Sequence, residues 1–196
     1  MEDFIRIFSA CLLAIKYTNG LYEEGNGMSK NPYDLDKEQR DAFFREVSRL
    51  ITEKLPAEMK DFADRTGPGD NYIRLRYPGQ LPYVMYELQF AKARAKNHEP
   101  YFGKKDNLVL ALYLDNPKLR ASWLQAMKPY KQRIEDQLGE EVVLGLWGKR
   151  YVILGKKLDS EKLEVEPEGY ANEIAWFIQA TFEPVWMVNE ETIGKH

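Results

Sequence analysis

Apolar positions along the chain change their period after Asn71, and the change predicts the order of the elements. Phe4, Phe8, Leu12 with Cys11, and Ile15 recur at helical spacing, which predicts a first helix over 2–18 that stops near Asn19-Gly20. Gly25, Gly27 and Pro32 then punctuate a loop. Asp36, with Gln39 three residues later, forms a capping box and starts a second helix. Phe43, Val47, Leu50, Ile51 and Leu55 are its apolar stripe, and Pro56 interrupts it. The run Thr66-Gly67-Pro68-Gly69-Asp70 breaks the chain.

Beyond that break the pattern alternates. Ile73, Leu75 and Tyr77 face one way and Arg74 and Arg76 the other; after a Pro78-Gly79 turn, Val84, Tyr86, Leu88 and Phe90 share a face opposite Met85, Glu87 and Gln89. Residues 108–114 are apolar on both faces, as a central strand would be, so the three runs read as a meander. Asp115-Asn116-Pro117 opens a long helix with Leu119, Trp123, Met127, Tyr130, Ile134 and Leu138 as its stripe. Pro129 should kink or split it, and Gly139 should end it. Strands follow at 142–147 and 151–154, then a final helix at about 169–188, with Pro184 bending its last turn.

This order predicts an α+β fold: an antiparallel sheet of about five strands (a strand meander, a helix, a hairpin, a helix) with two N-terminal helices packed against it. The chain reads as a single domain over 1–196, with a helical N-terminal part at 1–65 and an α+β core at 71–188. Because 108–114 is apolar on both sides, the first two helices are expected to cover part of the second face. The polar run 189–196 fits a module cut from a longer chain.

Composition narrows the chemistry. At 196 residues, 44% hydrophobic and 30% charged, the chain belongs with soluble globular proteins. The apolar run 10–15 is too short for a membrane span and follows acidic residues, so a cytoplasmic location with no membrane partner is expected. The lone Cys11 permits no internal disulfide and no cysteine-based zinc cluster. With His98 and His196 the only histidines, a two-histidine metal site or a Ser-His-Asp triad is set aside; no metal and no cofactor are expected.

Charge is segregated along the chain. Residues 1–70 carry a net of -4, residues 71–157 a net of +8, and residues 158–196 a net of -7. Such blocks mark either a face for a charged partner or acidic ends that pack around a basic middle. Within the middle, Lys92, Arg94, Lys96, Lys104 and Lys105 share one loop with Tyr101 and Phe102. Lysine and arginine bind phosphates by releasing counterions, and aromatic rings stack on unpaired bases. Arg74 and Arg76 would join them if strand and loop converge. The plainer reading is a solvated connection with Tyr101 and Phe102 folded onto the core.

A second constellation concerns hydrolysis. Restriction-type nucleases share a helix, three strands, a helix and a strand, and hold Mg²⁺ with an Asp and a Glu followed two residues later by Lys. Asp70 and Glu87 approximate that set, with Gln89 in the lysine's place, and the third strand offers no carboxylate before Asp115. These are candidates for testing rather than assigned catalytic residues. The plainer account makes Glu87 a charge on an exposed strand face, paired with Arg74 or Arg76.

Tyr86-Glu87-Leu88, the strand Leu110-Ala111-Leu112-Tyr113-Leu114, a long helix ending Ile134-Glu135 and Leu138-Gly139, and a strand with Trp147 and Arg150 resemble a poorly characterised prokaryotic domain. That domain accompanies restriction–modification and other defence proteins, often beside a nuclease domain. The resemblance covers about 72–188 and rests on structural features. It implies an accessory or recognition role and carries over no catalytic residue. The favoured reading is a non-catalytic binding module for DNA or RNA in a defence or genome-maintenance setting. A protein-interaction or homo-oligomerisation domain is the alternative, and a divergent metal-dependent nuclease is third.

Overall fold

The structure, a computed structural model of the chain, describes residues 32, 35–59, 63–64, 72–76, 83–90, 102, 108–147, 151–158, 163 and 166–193. The first expected helix and most of the basic loop lie outside the described residues.

Helix α1 (Lys37–Lys54) starts where the capping box places it: Gln39 N–H donates to Asp36 Oδ1 at 2.8 Å, and Asp36 N–H donates to Gln39 Oε1 at 3.3 Å. The helix stops before Leu55, whose extended backbone is the conformation that a following proline imposes. Replacing Asp36 with alanine removes the cap and is expected to cost about 1 kcal/mol. Urea titration checks this: the midpoint should fall with an unchanged slope.

Six strands form one antiparallel sheet in the order β1-β2-β3-β4-β6-β5. They are β1 (Ala63–Asp64), β2 (Tyr72–Arg76), β3 (Val84–Phe90), β4 (Leu108–Asp115), β5 (Val143–Trp147) and β6 (Tyr151–Leu158). The meander of β2, β3 and β4 is as the alternation predicts, and the fold is α+β. The two-residue β1 adds an edge strand that the sequence pattern does not indicate. Strand β6 runs to Leu158 rather than stopping at Leu154, and lies between β4 and β5.

The long helix is divided at Pro129, as its missing N–H requires. Helix α2 (Arg120–Met127) passes through a 3-10 turn, Lys128–Tyr130, into α3 (Lys131–Leu138). Gly139 ends α3 with φ 71, a left-handed conformation that glycine adopts without steric cost. Helix α4 (Pro167–Ile193) is longer than the sequence indicates and continues through Pro184.

One face of the sheet carries Ile73, Leu75, Val84, Tyr86, Leu88, Leu110, Leu112, Val152 and Leu154, and the helices bury it. Helix α4 packs against α1, α2 and α3. Tyr170, Ile174, Phe177, Ile178, Val185 and Val188 of α4 are all buried. Tyr86 meets Phe177 edge-on and bonds Thr181 at 3.1 Å, and burial raises the phenol's pKa well above its ordinary value. The expectation that the second predicted helix covers the opposite face is corrected here. Its stripe instead meets α4, with Phe43 edge-on to Tyr170 at 5.3 Å, because α4 is apolar on more than one side and offers a second surface to pack on.

Candidate functional site

The opposite face of the sheet holds the candidate chemistry. Strand parity brings side chains from β2, β3, β4 and β6 into cross-strand rows. One row runs Tyr72, Gln89, Val109, Lys157; the next runs Arg74, Glu87, Ala111, Gly155; the third runs Arg76, Met85, Tyr113, Ile153. At the usual strand spacing, the span from β2 to β6 is about 14 Å.

The face is not the solvated surface that the polar alternation of β3 suggests. Met85, Val109, Ala111, Tyr113 and Ile153 form a second buried cluster with Phe102. Glu87, expected on an exposed face, is only 2% exposed. Burying a carboxylate requires a partner, and Arg74 Nε donates to Glu87 Oε1 at 2.6 Å from the position directly across the ladder. The Arg74 side chain is 24% exposed, and its guanidinium carbon lies 4.6 Å from the centre of the Tyr72 ring. The pair therefore straddles the boundary between core and solvent.

Gln89 is buried and its amide donates to the Tyr113 hydroxyl. Four residues separate Tyr113 from Val109, the neighbour opposite Gln89, or roughly 13 Å of strand. The phenol therefore lies along its own strand past Ala111, where a larger side chain would obstruct it. Arg76 donates to Met85 Sδ, and Tyr113 meets Tyr151 edge-on at 6.1 Å. Most polar groups on this face are thus held in place by neighbours.

Of the residues singled out in the sequence, Arg74, Arg76, Glu87 and Gln89 come together on this face. Phe102 is also placed there, but its ring is buried in the cluster, packed as a core residue rather than presented for stacking. Asp70, Lys92, Arg94, Lys96, Tyr101, Lys104 and Lys105 lie outside the described residues. The basic loop joins Phe90 to Leu108, which pair in register at the sheet end that also carries Tyr72 and Lys157.

Lys157 is the addition that sequence reasoning missed. It is exposed at the end of β6, on the same face as the arginines. Gly155 followed by two lysines reads as the end of a strand, which hid its alternation from Lys156. Lys156 points to the helical side, is 3% exposed, and is held by Glu173 at 2.7 Å and by Glu140. Arg133 likewise pairs with Glu183. Acidic groups of the C-terminal block thus neutralise part of the basic middle, while Arg74, Arg76 and Lys157 stay on the opposite face.

Among the described residues, no group of three or more His, Cys, Asp or Glu is placed to hold a metal ion. No helix among them is long and apolar enough to cross a membrane. Comparison with protein families, curated proteins and solved structures finds no match.

Proposed function

We propose that the chain is a non-catalytic binding module for nucleic acid, acting in a prokaryotic defence or genome-maintenance setting. The observation that carries this reading is the register that sets Arg74, Arg76 and Lys157 on one sheet face. The connection carrying five further lysines and arginines leaves from the same end of the sheet. Cations at the margin of that buried face, with Lys157 the exposed one, can neutralise phosphates and release counterions, which gives affinity without base readout. Tyr101 supplies a ring for stacking on an unpaired base. The burial of Glu87 in an ion pair favours recognition over hydrolysis. The resemblance to an accessory domain of defence proteins supplies the setting.

Fluorescence anisotropy with labelled single-stranded and duplex DNA and RNA tests the reading across about 50–200 mM salt. Binding should weaken steeply with salt, and Lys157→Ala should lower the slope of log K against log salt by ~1. Absence of binding to every oligonucleotide at the lowest salt sinks the proposal.

A further inference from the structure

We infer that Met187 is a peroxide-reactive modification site, and that Tyr130 holds the resulting sulfoxide so that oxidation marks the surface without loosening the fold.

The four methionines among the described residues fall into two groups. Met59 and Met127 are wholly buried and Met85 is 5% exposed, whereas Met187, on α4, is 46% exposed. A thioether reacts with hydrogen peroxide through a sulfur lone pair: sulfur takes one oxygen, the O–O bond breaks and water leaves. Sulfur is oxidised by two electrons and the peroxide is reduced by two, so no further reagent is required. A buried thioether waits for its surroundings to open, while Met187 is met by solvent in the folded state.

Exposure alone would make Met187 a site of damage. Its neighbour changes that. Tyr130 closes the 3-10 turn that holds Pro129, and its ring packs against the main core. The Tyr130 hydroxyl donates to Met187 Sδ at 3.8 Å. Thioether sulfur is a weak acceptor. A sulfoxide oxygen carries partial negative charge and accepts more strongly, so the phenol has a better partner after oxidation than before. The new oxygen also sits in polar company. Glu183 and Glu190 lie one turn to either side of Met187 on α4, and Arg133 of α3 pairs with Glu183. Methionine oxidation does harm by placing a polar oxygen in an apolar contact, and that contact is missing here. The sulfoxide bond instead adds a tie between the 3-10 turn and α4, beside the Arg133 ion pair.

The full chain is treated with dilute hydrogen peroxide, and each methionine peptide is followed by mass spectrometry. Met187 should oxidise on the order of tenfold or more faster than Met59, Met85 and Met127, which wait on local opening. Thermal melts then read the consequence, with treated M187L as the reference that removes any effect of the other methionines. Against that reference, oxidation should move the melting temperature of the unsubstituted protein by less than about 1 °C. Tyr130→Phe keeps the ring and removes the donor, so its oxidised form should melt about 2–4 °C below its reduced form. M187Q, which presents a carbonyl oxygen in place of the sulfoxide, should show the same dependence on Tyr130 without any oxidant. Equal oxidation rates at all four methionines overturn the inference. So does a melting loss in the oxidised unsubstituted protein as large as that in oxidised Y130F.

Discussion

Replacing Trp123 with alanine is expected to destabilise the protein by about 3–5 kcal/mol, the cost of removing a large buried ring. Trp123 lies wholly inside the core on α2, and its indole Nε1 donates to Asn189 Oδ1 on α4 at 3.0 Å. Asn189 is itself buried, and its amide nitrogen has no partner among the described residues. Truncating the ring therefore opens a cavity and also orphans an acceptor beside an amide that is already unsatisfied. Trp123→Phe separates the two effects, because it keeps most of the apolar volume and loses only the N–H. It should cost about 1–3 kcal/mol, the range for leaving a buried polar group unpaired. Urea denaturation of both variants provides the comparison, and a loss under 1 kcal/mol for Trp123→Ala would contradict the described packing.

Gly155→Val is expected to cost about 3 kcal/mol, at the upper end of what overpacking does to a filled core. A Cβ at this position would stand 2.7 Å from the Ala111 Cβ and 3.0 Å from the Leu110 carbonyl oxygen. The second of these is backbone in the central strand and has little freedom to yield. The close approach of β4 and β6 thus depends on having no side chain here. The milder Gly155→Ala should be partly rescued by Ala111→Gly, which removes the nearer clash, and thermal melts of the two single variants and the double variant measure that coupling. Simple additivity would show that the two positions do not press on each other.

Sequence pattern and structure agree where local chemistry decides. The start of α1 needs only Asp36 and Gln39, which lie within one turn. The split at Pro129 and the stop at Gly139 need only one residue each. The facing of Ile73 and Leu75 against Arg74 and Arg76 follows from the two-residue period of a strand. Agreement fails where a partner comes from a distant part of the chain. Glu87 and Gln89 read as solvent-facing because their type is polar, and the pattern does not reveal that Arg74 and Tyr113 make their burial tolerable. Lys156 reads as loop because its carboxylate partners, Glu140 before β5 and Glu173 on α4, come from other parts of the chain. The far end of α4 reads as a polar tail, yet Asn189 and Thr192 are buried, bonded to Trp123 and to the Val188 carbonyl. The candidate face was half legible for the same reason. Its arginines were visible in the alternation, but Lys157 emerges only once β6 is seen to pass through Gly155.

The place of α4 in the chain order has a consequence during synthesis. This helix closes the apolar face of the sheet, yet it is translated after all six strands. At ordinary elongation rates, the interval between the end of β4 and the end of α4 is on the order of ten seconds. Throughout that interval the leucines of β4 have no α4 to cover them, and the nascent chain displays a sticky surface. A ribosome stalled before residue 167 would hold a sheet without its lid, a natural client for a chaperone that binds exposed apolar strands.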